Sequence, residues 1–358
     1  MTDRLDRLRH VMAEHDVDAA LISHPNNRRY FSGFSDADHA PDESAGYVLV
    51  TLAEATLHTS PTNLPWAMAE ARDGVATASW GRPWQAVLGE NLNERGIRRM
   101  LFEDLAMPVA DYRKIQEKAG DVTFVPAGEA VHELRRVKEP SEIAAIARAA
   151  QITDAAFVAA TENLQPGVTE RELVWRIAVL MRELGADSPG FDTIVGAGPH
   201  GARPHHNPTD RPIAAGEPIV IDMGAAVDGY CADLTRTIWL GEPSPEYRSR
   251  YNTLLAVQET ALRSIRAGMT GKEADAIARD ALIAEGFEAQ LIHGLGHGVG
   301  LNVHEWPSLG ASSEDVLRPG EIVTIEPGIY FEDWGGIRIE DLAVVTDDGL
   351  DVLSAAPK

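Results

Sequence analysis

The sequence predicts an α/β (α+β) protein with two domains, a small layered α/β domain over residues 1–130 and a larger, pseudo-symmetric domain over residues 131–358. Three observations lead to this prediction. Strand-like and helix-like segments alternate in the first part of the chain. In the second part a strand-turn-strand motif occurs twice, and the capped helix ahead of each copy is duplicated as well. A duplication of this kind indicates two similar halves that share one centre.

The first domain is predicted from the periodicity of its apolar residues. A charged amphipathic helix begins the chain, and short apolar runs bounded by turn residues follow it. The predicted segments are, in order, a helix at 4–15, strands at 19–23, 47–52 and 55–58, a helix at 84–95 and a strand at 99–103. No catalytic constellation is visible among these residues. We therefore expect the chemistry of the protein to lie in the second domain.

The second domain begins with helices after a connection predicted at 126–140. An alanine-rich helix is predicted over 141–163, and three further helices over 170–184, 246–266 and 272–285. Thr169 and Thr270 each stand where a helix would begin, with a glutamate three residues on, which predicts a capping box at both places. A strand is predicted at 191–195, and a loop at 196–208 contains the doublet His205-His206.

The motif that organises this domain is a β-hairpin between Glu217 and Leu240. An apolar run ends in Asp222, a turn rich in Gly, Ala and Asp follows, and a second strand-like run carries Asp233. The first arm is apolar on both faces, which is typical of a strand covered on both sides. An acid at the end of such a strand is costly to bury without a positive partner, and a metal ion is the partner that we expect.

The same hairpin is repeated about one hundred residues later. The segment Gly216–Asp222 is echoed by Gly320–Glu326, and the return strand of the second copy carries Glu340. Each arm of both copies therefore ends near an acid. Because the helix ahead of each hairpin is duplicated too, we predict that four carboxylates meet at the centre of one pseudo-symmetric domain.

A glycine-rich segment with three histidines, His293, His297 and His304, precedes the second hairpin. The spacing of four between the first two places them on the same side of a helical or an extended segment. The glycines allow the backbone to lie close to the group that the histidines bind or act on. We expect at least one of these imidazoles to belong to the acidic centre.

Composition excludes several classes of function. The chain has 32 basic and 55 acidic residues and a net charge of −23, which argues against a nucleic-acid partner and an anionic membrane surface. Its single cysteine, Cys231, cannot form an intramolecular disulfide and fits a reducing compartment. The N-terminal segment lacks the apolar core of a signal peptide, and no run of eighteen apolar residues occurs. We expect a soluble, cytoplasmic protein.

These motifs resemble those of the pita-bread metallopeptidases, the group of methionine aminopeptidase, aminopeptidase P and prolidase, and among them the proline-specific branch. The resemblance covers nearly the whole chain, including a creatinase/prolidase-like N-terminal domain and the linker Leu134–Lys138. It implies a pita-bread fold for the second domain and a homodimer. It also implies an exopeptidase that hydrolyses the Xaa-Pro bond, in dipeptides or at the N-terminus of longer peptides, through a metal-bridging hydroxide.

The resemblance implies five ligands for two divalent metal ions. Asp222 would bind one ion, His297 and Glu326 the other, and Asp233 and Glu340 would bridge both. Oxygen-rich ligands with one imidazole suit Mn, Co, Zn or Fe better than a thiol-preferring ion, and we expect Mn first. The only cysteine is not a ligand in this pattern. Two ions would also neutralise the charge that four carboxylates bring into one cleft.

Further residues are assigned to catalysis by the same resemblance. Glu326 is implied to move the proton that the proline nitrogen needs as a leaving group. His205, His293 and His304 are implied to line the substrate site and to steady the carbonyl, the tetrahedral intermediate or the product carboxylate, and His205 and His304 are counted with Glu326 as catalytic. His206 remains an alternative to His205.

Strand parity adds two expectations about the return strand of the second hairpin. Arg338 shares a face with Glu340, so we expect it to support a carboxylate of the centre and to belong to the substrate site. Asp341 points to the other face and is expected to be structural. Trp306, Trp334 and Tyr230 are candidates for the wall of a proline pocket or for plain core.

Two other functions are compatible with this scaffold. One is a different hydrolase or lyase that acts on a small amidine or an acylated amino acid, and the other is a binding module without catalysis. Creatinase-like relatives typically lack the metal ligands, and non-catalytic relatives have usually lost the acids and histidines, whereas all five ligands are present here. The sequence does not distinguish a dipeptide from a longer peptide substrate, and it leaves open the native metal, the oligomeric state and the residues of the proline pocket.

Overall fold

The computed structural model describes residues 3–38, 40 and 43–358. The chain divides into two compact units, Met1–Arg135 (unit 1) and Arg136–Lys358 (unit 2). Both units combine helices with β-sheet, as the sequence predicts.

Unit 1 contains a mixed six-stranded sheet with helices packed on it. Its helices are α1 (Arg4–Glu14), α2 (Pro25–Ser32), α3 (Leu64–Glu70), α4 (Trp84–Glu94), α5 (Val109–Lys118) and α6 (Ala130–Glu133). Its strands are β1 (Ala19–Ile22), β2 (Gly46–Thr51), β3 (Ala55–Thr59), β4 (Ala76–Ser79), β5 (Arg99–Phe102) and β6 (Thr123–Pro126), in the order β4-β3-β2-β1-β5-β6. A core of buried side chains joins α4 and α5 to the central strands, with Leu88, Leu92 and Ile115 packed near Leu21 and Met100.

The six segments predicted for unit 1 are confirmed, each within about two residues of its predicted bounds, whereas α2, α3, β4, α5, β6 and α6 were not predicted. Helix α2 begins after His24, whose ring nitrogen accepts from the amide of Asn26, and histidine is not a residue that normally signals a helix start. Strands β4 and β6 lie at the two edges of the sheet and are partly exposed, so they show no apolar alternation.

Unit 2 contains four long helices, α7 (Pro140–Thr161), α8 (Glu170–Glu183), α9 (Pro245–Ser264) and α10 (Gly271–Ala284). Both predicted capping boxes form, since Thr169 and Glu172 exchange hydrogen bonds at the start of α8, and Thr270 and Glu273 do so at the start of α10. Ser244 caps α9 by accepting from the amide of Tyr247. Local sequence therefore determines where these helices begin.

Helix α7 is the one helix within residues 3–38, 40 and 43–358 that is long and apolar enough to cross a membrane by length and composition. Half of its most apolar window is buried inside the fold. Ile152, Ala156 and Phe157 on this helix belong to a core cluster of unit 2. A core helix of a globular domain passes the same test, so α7 is weak support for a membrane span.

The strands of unit 2 form four small sheets. They are β7 (Ser188–Pro189), β8 (Ile194–Ala197), β9 (Pro218–Met223), β10 (Ala225–Val227), β11 (Tyr230–Cys231), β12 (Leu234–Trp239), β13 (Gly296–Gly298), β14 (Glu305–Leu309), β15 (Ile322–Ile325), β16 (Gly328–Phe331), β17 (Gly335–Arg338), β18 (Asp341–Val345) and β19 (Leu350–Val352). The strand orders are β11-β10-β7, β12-β9-β8, β14-β13-β15-β18-β19 and β16-β17.

The predicted duplication is present in three dimensions. Strand β9 pairs with β12 in antiparallel register, and β15 pairs with β18 in the same way. One core cluster joins α7 and α8 to β8, β9 and β12, and a second joins α9 and α10 to β15 and neighbouring strands. Unit 2 is therefore built from two related halves, each with its own core, and the acids lie where the paired hairpins end.

The predictions at 191–195 and 196–208 were wrong in their bounds. Strand β8 begins at Ile194 and continues through Gly196 to Ala197, and the residues Gly198–Ala202 form a 3₁₀ turn. Gly196 was interpreted as a loop residue, but it lies in a strand. A glycine stands there because another backbone passes close by. A Cβ at Gly196 would lie 3.0 Å from the Cα of Gly201.

Candidate metal centre

The paired hairpins place four acids at one end of unit 2. Asp222 is the second-last residue of β9, and Asp233 directly precedes β12. In the other half Glu326 directly follows β15, and Glu340 directly precedes β18. The charges of neighbouring acids raise the pKa values of Asp222, Asp233 and Glu340, so all four acids lie in one electrostatic cluster.

His297 lies on β13 beside this cluster. Its Nε2 atom is 3.1 Å from Oε1 of Glu326 and 3.7 Å from Oδ2 of Asp233. Asp233, His297 and Glu340 each offer a ligand atom, and these atoms lie within 4.8 Å of one another. The imidazole therefore joins carboxylates from both halves of the unit.

The electrostatics of the cluster show a shortage of positive charge. Burial and the neighbouring carboxylates raise the pKa values of Asp233 and Glu340 well above the ordinary range. Burial also raises the pKa of Asp222, although Arg338 opposes the shift. Burial would lower the pKa of His297, but the hydrogen bond and the charge of Glu326 outweigh it and raise the value to about 9. The acids therefore compete for the protons and cations within reach.

The donor set fits divalent metal ions. Asp222 Oδ1 and Glu340 Oε1 are buried and have no hydrogen-bond partner within the described part of the chain. An unpartnered buried carboxylate oxygen costs free energy unless a cation meets it. Carboxylate oxygens with one imidazole are ligands that several divalent ions accept, and such ions would replace the protons that the cluster otherwise holds.

Arg338 is the main basic partner of the cluster. Its Nη2 atom is 2.5 Å from Oδ2 of Asp222, and its Nε atom donates to the hydroxyl of Thr235 at 3.0 Å. Thr235 in turn donates to Oε2 of Glu340 at 2.7 Å. Arg338 therefore orients one carboxylate directly and a second through Thr235, which agrees with the position expected from strand parity.

His293 is held at the edge of the same network by Tyr330. The hydroxyl of Tyr330 accepts from Nη1 of Arg338 at 2.9 Å and lies 2.9 Å from Nε2 of His293. Nδ1 of His293 lies 2.7 Å from the carbonyl oxygen of Gly294 and must donate to it, so Nε2 accepts the proton of Tyr330. Burial lowers the pKa of His293, which keeps the ring neutral.

The His205-His206 doublet divides between two environments. His206 is buried, and its Nε2 atom lies 3.0 Å from Oε2 of Glu170. His205 is exposed, and its charge contributes to the lowered pKa of His304. The ring of His304 packs edge-on against that of His297 at 4.3 Å. His206 thus has a buried partner of its own, whereas the charge of His205 acts on His304.

Asp341 does not face the cluster. Oδ1 of Asp341 accepts from Nη2 of Arg236 at 2.8 Å, and its Oδ2 lies 2.5 Å from Nζ of Lys358 and accepts from Gln258. These contacts agree with a structural role. Trp334 is partly buried and packs against Tyr247 and Phe331 beside a hydrophobic core, and the hydroxyl of the buried Tyr230 donates to Glu142.

Several residues of the site were not singled out from the sequence. Thr235 and Tyr330 bind Arg338, and Thr324 donates to Glu326 at 3.0 Å and accepts from the amide of His297 at 3.0 Å. In the sequence, strand alternation is the only indication of Thr235 and Thr324, because each lies two residues from an acid on the same strand arm.

A second cluster, Glu170, His200 and His206, was also not identified, since Glu170 resembles an ordinary residue of a helix start.

Two related halves around a centre rich in carboxylates and containing an imidazole define the class of this protein, a metal-dependent hydrolase on the pita-bread fold. The model of metallopeptidase family M24 matches residues 144–347, and that of the creatinase/prolidase N-terminal domain matches residues 4–137. The chain belongs to metallopeptidase family M24 and is an enzyme.

Relatives with nearly the same length support this membership. The Xaa-Pro dipeptidase of Pyrococcus furiosus is 36% identical over 349 residues, which cover 98% of this chain and 97% of the relative. A solved Xaa-Pro dipeptidase from Bacillus anthracis superposes with a TM-score of 0.93 at 37% identity, covering 99% of this chain and 98% of the other. A solved X-Pro aminopeptidase from Thermotoga maritima has a TM-score of 0.88 at 33% identity, with 99% and 98% coverage.

Proposed function

We propose that this protein is an exopeptidase that hydrolyses the bond between an N-terminal residue and a following proline. The observation that carries the hydrolase assignment is the convergence of four carboxylates, of which Asp233 and Glu340 are buried, and His297 in unit 2. The proline specificity is supported by the Xaa-Pro dipeptidases and the X-Pro aminopeptidase that the chain resembles along its whole length. The alternative activities on an amidine or an acylated amino acid are not favoured by these relatives.

Asp222, Asp233, His297, Glu326 and Glu340 are the ligands in this proposal, and together they hold two ions. The unpartnered oxygens of Asp222 and Glu340 support it, since they lie in different halves of the unit and each lacks a cation. The raised pKa values of Asp233 and Glu340 support it as well, because a carboxylate resists ionisation where positive charge is missing. Bound ions would acidify a water and polarise the scissile carbonyl.

The side chains around the centre then have distinct tasks. Burial would raise the pKa of Glu326, but His297 and other neighbours hold it at about 2, so the group is an ionised carboxylate, the form that a proton acceptor needs. Glu326 receives the proton of the attacking water and delivers it to the proline nitrogen, which is a poor leaving group until protonated. Thr324 and His297 hold the Oε1 atom of Glu326 in place.

Three imidazoles are assigned to the substrate site in this proposal. Partial burial and the charge of His297 lower the pKa of His304, so its ring is neutral near pH 7 and can donate one hydrogen bond. His205, near His304, and His293, fixed by Tyr330, complete the set. We assign His205 and His304 to the reacting carbonyl. His293 and Arg338 position the substrate and the carboxylates beside it.

The proposal extends to the cofactor and the cellular setting. Manganese is the ion we expect, with cobalt, zinc or iron as alternatives, because oxygen-rich ligands with one imidazole accept all of them. A homodimer is expected from the family resemblance. A cytoplasmic location is expected because the single cysteine, Cys231, is compatible with a reducing compartment.

The proposed specificity is tested by giving proline peptides to protein stripped of metal and resupplied with Mn, Co or Zn. Ala-Pro and Ala-Pro-Pro are assayed side by side, with Ala-Ala-Ala as the matched peptide without proline. We expect cleavage of at least one proline peptide and no cleavage of Ala-Ala-Ala. The pocket must recognise the proline ring for this result, since the peptides are otherwise similar.

The pattern of cleavage also defines the substrate length. Cleavage of Ala-Pro alone would make the protein a dipeptidase, and cleavage of Ala-Pro-Pro would make it an aminopeptidase. Failure to cut either proline peptide with any of the metals would refute the proposed specificity, and equal cleavage of Ala-Ala-Ala would refute it as well.

A further inference from the structure

Glu170 is a fully buried carboxylate outside the metal centre. It stands at the first position of α8, directly after the capping residue Thr169, where a glutamate is normally exposed to solvent. Its two oxygens accept hydrogen bonds from the amide of Ala197 at 3.0 Å, Nδ1 of His200 at 2.8 Å, Nε2 of His206 at 3.0 Å, and the amide and hydroxyl of Thr209 at 2.9 Å and 2.8 Å. One side chain thus gathers donors from along the whole segment 197–209.

The ionisation of Glu170 determines the roles of its partners. Burial would raise the pKa of Glu170, but the hydrogen bonds from Ala197, His206 and Thr209 outweigh it and hold the pKa at about 2. An ionised carboxylate only accepts hydrogen bonds, so both imidazoles must donate to it. His200 therefore carries a proton on Nδ1 and His206 on Nε2.

The internal duplication shows that this glutamate is a departure from the repeat. Thr169 and Thr270 cap equivalent helices, so Glu170 corresponds to Gly271 in the second half. A side chain at Gly271 would collide with the carbonyl oxygen of Ser308. Helix capping therefore does not require Glu170. Only the half of the unit that carries the His200–Thr209 segment has a buried carboxylate at this position.

The anchored segment lies against the strand that carries Arg338. Gly201 packs on Gly336 of β17 so closely that a Cβ at Gly336 would collide with the carbonyl oxygen of Gly201. Glu170 and β17 thus hold the segment from two sides. His205 lies between the buried His206 and the 3₁₀ turn that contains His200, and it is exposed. Its position is set by the residues on either side of it.

Glu170, His200 and His206 also have the composition of a metal site, and each offers a ligand atom within 4.8 Å of the others. The two imidazole rings are tilted, with centroids 4.3 Å apart and planes inclined by 35°, and each directs one nitrogen at Glu170. Glu170 moreover accepts hydrogen bonds from other donors on both of its oxygens. The cluster is therefore satisfied by hydrogen bonds alone.

We propose that Glu170 is a positioning residue that acts through His200 and His206 to hold His205 at the substrate site. The inference rests on the proposed function, which places His205 at the reacting carbonyl. Glutamine at position 170 would place an NH₂ group against N–H and O–H donors, so the hydrogen bonds to one of the two oxygens of Glu170 would be lost. The expected consequence is a displaced His205 beside an intact metal centre.

The test combines Glu170→Gln with His205→Ala in a double-mutant cycle on the metal-loaded full chain. Glu170→Gln is expected to lower kcat/KM for the proline peptide about 10- to 100-fold, as the loss of an orienting partner usually does. In the His205→Ala background the same change should have no further effect, because the residue through which it acts is gone. Metal affinity, measured by calorimetry, should match that of the unchanged protein.

Two further variants keep the test independent of folding. Glu172→Gln is the matched control, since Glu172 lies two residues further along the same helix, is exposed, and can be replaced by Gln in a capping box. Thr209→Val removes one hydroxyl, which donates to Glu170 and accepts from the amide of Arg211, and should lower kcat/KM by a smaller factor in the same direction. The histidine ring signals of His205 in an NMR spectrum should shift in Glu170→Gln and stay unchanged in Glu172→Gln.

The possible outcomes separate this inference from the proposed function. If the unchanged protein cleaves no proline peptide, the proposed function fails, and the NMR signal of His205 still decides whether Glu170 positions it. If the protein is active but the effects of Glu170→Gln and His205→Ala multiply, Glu170 acts through other residues and the inference is overturned. A His205 signal that is the same with and without Glu170 would overturn it too.

Discussion

Replacing Glu340 with glutamine is expected to abolish metal-dependent hydrolysis while the protein remains folded. Glu340 is buried, its Oε1 atom has no partner in the described chain, and it is a proposed bridging ligand. Loss of several kcal/mol of metal-derived stabilisation corresponds to a fall in kcat/KM of roughly 10³-fold or more. Steady-state kinetics with Mn-loaded protein, together with metal content per chain, measure the effect.

The stability of the metal-free protein should change little in the same variant. Burial and the neighbouring acids raise the pKa of Glu340 well above its ordinary value, which favours its neutral form, and glutamine resembles that form in charge and shape. The hydroxyl of Thr235 can still donate to the amide oxygen. Thermal unfolding with and without Mn²⁺ should show a metal-dependent rise in Tm for the unchanged protein only.

Two acids provide controls for this prediction. Glu332 is exposed in the turn between β16 and β17, so Glu332→Gln should retain both metal and activity. Asp341→Asn should retain the metal but lose about 3 kcal/mol of stability, because it leaves Arg236 and Lys358 without their buried carboxylate. Equal activity in Glu340→Gln and Glu332→Gln would show that Glu340 is not a ligand.

The second large effect is expected at the histidine doublet. His205→Ala should lower kcat/KM about 100-fold or more, which is typical of removing a group that assists proton transfer or steadies the reacting carbonyl. The stability of this variant should change by less than about 0.5 kcal/mol, because His205 is exposed. Kinetics and denaturant unfolding on the same preparation measure both quantities.

His206→Ala is the matched variant and should behave in the opposite way. His206 is buried and binds Glu170, so its removal leaves a buried carboxylate short of one donor and should cost about 1–3 kcal/mol of stability. Its activity should fall less than that of His205→Ala. A stable, inactive His206→Ala beside an active His205→Ala would reverse the assignment of the two residues.

Much of unit 2 could be predicted because its signals are local and repeated. The capping boxes at Thr169 and Thr270 determine two helix starts, and the apolar runs that end in Asp222 and Glu326 determine two strands. Because the repeat predicted pseudo-symmetry, it also predicted that acids from both halves would meet. These features depend on neighbours in sequence, which periodicity reports directly.

Other features depend on tertiary contacts, which no local pattern reports. Neighbouring residues of an irregular loop have no period, so the sequence could not show that His206 turns toward Glu170 while His205 stays exposed. Gly196 resembled a loop glycine because the backbone that passes close to it comes from another segment. Tyr330 is an ordinary strand residue until Arg338 and His293 are seen on either side of its hydroxyl.

The central claim is that the five side chains at the end of the paired hairpins hold two metal ions that make the protein a proline-specific peptidase. The most direct test is to titrate metal-free protein with Mn²⁺ and follow the rate of Ala-Pro or Ala-Pro-Pro hydrolysis against the number of ions bound. We predict no hydrolysis at the start and a rise to a plateau when two ions are bound per chain. Full activity of the metal-free protein, or binding of Mn²⁺ without any hydrolysis of a proline peptide, would contradict the claim.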